Sequence, residues 1–268
     1  MADFQPTARV IADSLSPLGI RLTTIEVKIH RFVLPEFNTH RVFSRNSASS
    51  RAIPARKLIE KVYSEDVVPL EWASEQPGMQ GGNALDEEKQ VEARSVWLAA
   101  RNAAVEASQD LIELGVHKSI ANRLVEPFAY QTIITTATDW DGFWEQRISP
   151  LAQPEIREAA RAMRGVYMAS EPRPVDYHGW HLPYVQPDEK HLHIAEQRRI
   201  SAARCARVSY LTHDGKRDLG KDLQLFERLV GAHPRHYSPL EHVATPAERQ
   251  TKGNLNMWYQ LRHLEDMW

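Results

Sequence analysis

The spacing of apolar and polar positions changes several times along this chain, and each change marks an element. Ile20–Ile29 alternates apolar with polar residues and is rich in β-branched side chains, the pattern of a strand with one buried face. A short helix or turn over Arg31–Asn38 then delivers the chain into a polar stretch with no period. Pro54 opens a short amphipathic helix to about Tyr63. Gln76–Ala84, with its proline and glycines, reads as a flexible surface connection.

Asp86–Leu114 predicts a long helix. Val91, Leu98, Val105 and Ile112 recur every seventh position, flanked by Trp97, Ala104 and Leu111, and form one wide stripe for core or subunit contact; Gly115 stops the helix. His117–Val125 predicts another helix, ended by Pro127. Tyr130–Thr138 is β-branched and leans towards strand. Pro154 begins a helix through Met168, with Ile156, Ala159, Met163 and Val166 on one face. Glu171–Pro187 carries four prolines and reads as an irregular connector, in which His178, Trp180, His181 and Tyr184 either line a site or pack the loop down. Helices are predicted over Glu189–Tyr210 and Asp218–Val230, the second burying Leu219, Leu223, Phe226 and Leu229. Trp258, Tyr259 and Trp268 follow in the tail, and no repeat or low-complexity tract interrupts the chain.

The stretch without a period is the most informative chemically. From Thr39 to Arg51, ten of thirteen side chains are polar, three are arginines and none is acidic. Guanidinium, hydroxyl and amide donors with no carboxylate among them suit an anion such as a phosphate. Its serines and asparagine compete for backbone hydrogen bonds, which favours an ordered loop or a helix start.

Composition narrows the classes. At 268 residues, 42% hydrophobic and 25% charged, the chain can bury a sizeable core, and the whole reads as one domain, 1–268. A formal net charge of −2 gives no global field towards nucleic acid or a membrane, so any basic site is local. Met1–Val10 has no apolar core of the signal-peptide kind, and no run approaches the ~18 apolar residues that span a bilayer. The single cysteine, Cys205, excludes an intrachain disulfide and a cysteine-rich metal site, and points to a reducing, cytoplasmic setting.

Candidate chemistry is then short. The histidine pairs 178/181, 191/193 and 233/236 match no metal spacing, so no metal is expected. Cys205 has no base paired with it in the sequence and is expected to be buried rather than nucleophilic. There is no glycine-rich dinucleotide fingerprint and no Walker loop. What remains are polar islands at His40–Arg51, Asn122–Arg123, Asp139–Arg147, Arg207–Tyr210 and Ser238–His242.

Together the islands carry a resemblance. Thr39-His40-Arg41, followed by Ser49 and Arg51, resembles the signature of the flavin-dependent thymidylate synthases, the ThyX family. Ala206-Arg207-Val208-Ser209-Tyr210 and Ser238-Pro239-Leu240-Glu241-His242 are similar to two further landmarks of that family, and Ala152–Ile156 after Arg147 to its final helix. The order differs: these two landmarks precede the signature in the family and follow it here, so the chain resembles a circularly permuted member. In it, 188–268 carries the usual N-terminal segments, and Leu22–Ile29 supplies the strand that normally follows Glu-His.

The resemblance implies an α+β fold, a mixed helix and antiparallel-sheet domain with long helices, in which Tyr130–Thr138 belongs to a helix. It implies reductive methylation of dUMP to dTMP with FAD, with methylenetetrahydrofolate and NADPH as co-substrates, in a homotetramer whose sites are shared between subunits. Arg147 and Ser49 fall to catalysis; Glu36, Ser49, Arg51, Arg123 and Arg147 to substrate; His40, Arg41, Asn46, Ser209 and His242 to FAD. Thr39, Ser47, Leu151 and Gly142 depart from the family pattern, and Arg45 is the candidate to replace the arginine lost at Thr39. Two other readings use the same residues: C5 hydroxymethylation or another modification of dUMP or dCMP, and a non-catalytic nucleotide-binding relative.

Overall fold

The protein is described by a computed structural model covering residues 6–212 and 214–265. Strands β1 (Thr7–Leu15) and β2 (Arg21–His30) form a hairpin closed by a turn in which Gly19 takes a positive φ of 75°. A 3-10 turn and α1 (Leu34–Asn38) lead to β3 (Ser44–Ser47). After α2 (Ala55–Ser64) come the long α3 (Glu87–Glu113), α4 (Lys118–Ala121), β4 (Tyr130–Ala137), α5 (Asp141–Arg147) and α6 (Pro154–Ala169). The C-terminal part holds β5 (Arg173–Pro174), α7 (Ile194–Arg207), α8 (Leu219–Gly231), β6 (Ala244–Pro246), β7 (Trp258–Gln260) and α9 (Leu261–Glu265).

The main sheet runs β3-β4-β2-β1-β5, antiparallel except for two residues of β5 beside β1, so the class is α+β as expected. One face buries Ile25, Val27, Ile29, Ile133 and Ala137 against Ile156, Ala159, Ala160 and Met163 of α6 and Phe143 and Trp144 of α5. The other face carries the C-terminal segments. Leu22 packs with Val175, Ala244, Leu255 and Trp258, and Ile134 with Tyr184, Cys205 and Val208. Helices α2 and α3 meet the segment between α4 and β4 in a separate cluster around Leu58, Val62, Val105 and Phe128. Among the described residues no helix is long and apolar enough to cross a membrane.

Several expectations change. Tyr130–Ala137 is a strand, as its β-branched residues alone suggest, and not the helix that the resemblance implied. It is buried on both faces between β2 and β3, which suits such a run. Thr7–Leu15, unmarked in the sequence, is a strand of mostly half-buried residues whose pairing with β2 supplies what its own pattern lacks. The centre of the polar stretch, Ser44–Ser47, is an edge strand on β4 rather than loop. His117–Val125 contracts to one helical turn, and the helix predicted from Glu189 starts at Ile194. Of the stripe on α3, Val105 is fully buried while Val91 is 70% exposed, so the stripe meets the core from Trp97 onwards and not at its start.

Candidate functional site

The signature stretch is fastened by its apolar residues. Phe43 is buried under it and touches Phe37, Trp140 and Phe143, with Trp140 at 4.8 Å between ring centroids. On α5, Phe143 and Arg147 lie four residues apart and share a face. Both meet His40: the Phe143 ring stands edge-on to the imidazole at 4.9 Å, and Arg147 Nε donates to His40 Nε2 at 2.8 Å. The Arg147 Nη2 group also donates to Thr39 Oγ1 at 2.9 Å and to the Glu36 carbonyl at 3.2 Å.

Because Arg147 donates to Nε2, the imidazole is neutral with its proton on Nδ1. Burial first, and then the charges of Arg147 and Arg45, lower the His40 pKa to about 4. Arg45 donates to the His40 carbonyl at 2.6 Å, so it braces the loop from below. Oε2 of Glu36 is enclosed without a hydrogen-bond partner, an acceptor left open beside this group.

Beyond β3 the backbone is tied down by buried amides. Asn122, fully buried, donates to the carbonyls of Ser50 and Ile53, and Gln131 donates to that of Ala48. Ser49 and Arg51 stay exposed, and none of the described ion pairs uses Arg51. Ser50 turns inward and donates to Glu126. Glu126 also receives Arg31 at 2.8 Å and Arg123 at 2.9 Å. Arg31, Arg123 and Glu126 line a cleft of about 320 Å³ with Phe32, Leu34, Pro35 and Asn38.

A second cleft, about 210 Å³, shares Leu34 and Asn38 of α1 with the first and is lined further by Arg45, Asn46, Ser47, Ile133 and Ser238. Signature residues and the first residue of the Ser-Pro-Leu-Glu-His segment therefore share one wall. Asn46 donates to the carbonyl of Cys205, which joins β3 to the last turn of α7. That helix ends at Val208 with a positive φ of 55°, a costly conformation for a β-branched residue. The turn is held because Arg204, fully buried, donates to Glu189, Asp222 and the Tyr184 carbonyl, while Arg207 pairs with Asp222.

His242 lies inside. Its Nδ1 shares a hydrogen bond with Thr136 Oγ1 at 2.8 Å, Thr136 with Thr24 at 2.6 Å, Thr24 with His181 Nε2 at 2.8 Å, and His181 Nδ1 with Ser14 at 2.8 Å. Burial lowers both histidines to about 3, and Nε2 of His242 has no partner. His181 of the proline-rich connector is thus a structural residue beneath the sheet.

The structure therefore brings Glu36, His40 and Arg147 into contact, with Arg41 exposed at the rim. Ser49 and Arg51 flank Ser50 in the chain, Arg123 pairs with the Glu126 that Ser50 meets, and Asn46 and Ser209 flank the α7 turn. His242 is apart from the rim, sealed under β4. Arg31 and Glu126 were not singled out in the sequence, and Ser50 only as part of the polar stretch; nothing local marks their pairing, which spans 76 to 95 positions. Among the described residues no group of three or more metal-ligating side chains occurs.

The family model for Thy1, thymidylate synthase complementing protein, matches residues 10–173, more than half of the chain. The chain belongs to the Thy1 family. Its matched segment contains the His40–Arg51 stretch, Arg123 and Arg147, whereas Ser209 and His242 lie beyond it. No curated protein matches this Thy1 chain. Among solved structures, the UMP/dUMP methylase PolB from Streptomyces cacaoi bound with 5-Br UMP is 18% identical, covering 62% of this chain and 90% of that one at a TM-score of 0.46. The same methylase bound with 5-Br dUMP is 16% identical, covering 61% and 90%, also at 0.46.

Proposed function

We propose that this Thy1 protein is a flavin-dependent enzyme that converts dUMP to dTMP, with methylenetetrahydrofolate as carbon donor and NADPH as reductant. The observation that carries the reading is the fixed placement of Arg147 on the signature loop by His40, Thr39 and the Glu36 carbonyl. A guanidinium so placed stabilises negative charge developing on a uracil ring as a hydride arrives. Glu36 receives the base, and Ser49, Arg51 and Arg123 receive the phosphate, whose oxygens match exposed guanidinium and hydroxyl donors.

The residues present fit a flavin dinucleotide at the outer rim. Arg41 is exposed with Val42 beside it, a cation and an apolar side chain suited to a diphosphate and a ring edge, and Asn46 lines the cleft behind them. FAD bound there, once reduced by NADPH, would supply the hydride. A cleft of about 210 Å³ encloses only part of so large a group, which accords with a site completed by neighbouring subunits of a homotetramer. His242 instead braces β4 through Thr136, and the Ser209 hydroxyl accepts from the Leu211 N–H just after the α7 turn. Cys205 is fully buried and burial raises its thiol pKa, which removes the usual protein nucleophile for C6 and leaves the hard step to the cofactor.

The permuted order is part of the same proposal. Leu22, at the start of β2, shares a buried cluster with Ala244, two residues after His242, so the strand and the segment it would follow in an unpermuted chain are neighbours in space. Ser238 and Asn46 lining one cleft support it further.

Incubating the purified protein with dUMP, FAD, methylenetetrahydrofolate and NADPH, and weighing the product by mass spectrometry, tests the reading. dTMP is expected. A hydroxymethylated nucleotide would replace it by the second reading, which Thr39 favours by altering the signature beside Arg147 and Ser47 by altering the wall of the smaller cleft. A colourless protein that turns over nothing would leave a nucleotide-binding relative.

A further inference from the structure

The carboxylate in the phosphate cleft is out of place for a site that binds anions. Glu126 Oε1 receives Arg31 at 2.8 Å, Arg123 at 2.9 Å and the Ser50 hydroxyl. Its three partners differ in freedom. The Arg31 side chain is 14% exposed, its guanidinium also donates to Gln131, and its backbone N–H is bonded to the Ala129 carbonyl, so it is fixed. Ser50 is buried and its carbonyl is held by Asn122. Arg123 is 52% exposed and is bound to Glu126 only three residues away, an ion pair of the weak surface kind.

We propose that Glu126 is the specificity residue of this cleft: it occupies Arg123 until a substrate phosphate takes that guanidinium, and it admits a nucleoside monophosphate while discriminating against di- and triphosphates. The inference rests on the reading of Arg123 as a phosphate contact given above. Two guanidiniums and one carboxylate leave a single net positive charge in about 320 Å³. A dianionic monophosphate draws Arg123 away from the carboxylate, because a bidentate guanidinium–phosphate pair is stronger than the exposed pair it replaces. Glu126 stays with Arg31 and Ser50 and neutralises the remaining cation. Arg51, outside the cleft lining, is taken with Arg123 by the first phosphate, so each further phosphate brings added negative charge within a few ångströms of Glu126 with neither guanidinium left to meet it.

Isothermal titration calorimetry on the full-length protein decides the matter, with dUMP, dUDP, dUTP, deoxyuridine, inorganic phosphate and pyrophosphate as titrants. The wild type is expected to bind dUMP at least roughly tenfold more tightly than dUTP, and phosphate more tightly than pyrophosphate. Glu126→Gln keeps the size and one acceptor; it should tighten dUMP about three- to tenfold and bring dUTP to within about threefold of it. Arg123→Gln leaves the Arg31–Glu126 pair and should weaken dUMP and phosphate while deoxyuridine is unaffected. A Glu126→Gln protein with a wild-type thermal melt that keeps the monophosphate preference overturns the inference. Should that variant fail to fold, unchanged phosphate affinity in Arg123→Gln overturns it instead. A wild type that prefers phosphate to pyrophosphate but binds no dUMP overturns the nucleotide reading and leaves the charge selectivity of the cleft standing.

Discussion

Arg147 Nε donates to His40 Nε2 at 2.8 Å across 107 positions of chain, and so a guanidinium on α5 is aimed by a neutral imidazole in the signature loop. The bond needs His40 unprotonated, which its pKa of about 4 secures at neutral pH. Arg147→Ala should lower kcat by about 10²–10³, the usual cost of one donor to a developing negative charge, with a smaller change in KM. Arg147→Lys keeps the charge but not the three-way geometry, and should recover little. Steady-state kinetics of dTMP formation measure both; a kcat within threefold of wild type for Arg147→Ala would remove Arg147 from the reaction.

Arg51 is exposed and has no carboxylate partner among the described ion pairs, so its guanidinium is available at no cost in lost internal bonds. Arg51→Ala should weaken dUMP binding by about 1.5–3 kcal/mol, the range of a hydrogen bond to a charged group. Calorimetric titration reads this directly, and an unchanged affinity would move the phosphate elsewhere.

Cys205 sits at 0% exposure with its thiol pKa raised by burial, and its carbonyl rather than its sulfur meets the signature through Asn46. The native protein should leave a thiol reagent unreacted, and Cys205→Ser should retain turnover within a few-fold while losing about 1 kcal/mol of stability or less, since the buried hydroxyl keeps Ser201 as a partner. Abolished turnover in a folded Cys205→Ser protein would restore a covalent route.

His181 and His242 are fully buried and neutral, with pKa values lowered to about 3 from an ordinary 6.5, and His30 is lowered to about 4. In the unfolded chain these groups take up protons below about pH 6.5 that the folded chain refuses. Stability is therefore intact above pH 6.5 and falls as the pH drops towards 4, each histidine adding a slope of up to ~1.4 kcal/mol per pH unit. Urea midpoints measured from pH 8 to 4.5 should be level at first and then decline. His242→Gln should make the decline shallower by about one proton, and an unaltered slope would place the protonating groups elsewhere.

Local pattern alone determined much of this protein. The alternation in β2, the seven-residue repeat of α3, the Pro54 and Pro154 helix starts and the buried side of α6 are legible because a strand or helix repeats its burial within a window of a few residues. The polar density of Thr39–Arg51 likewise marked the stretch that we propose binds an anion, and likeness to a family supplied Arg147 and Arg123 from elsewhere. Tertiary structure decided the rest. β1 has too weak a pattern to be a strand without β2 beside it, and the place of Tyr130–Ala137 between β2 and β3, enclosed on both faces, is set by pairing and not by its own β-branched residues. The pairing of His40 with Arg147, the carboxylate of Glu126 between Arg31 and Arg123, and the line of hydroxyls from His181 to His242 each join residues far apart in the chain. Such contacts are set by strand register and by which faces share a core, and no stretch of sequence carries that information by itself.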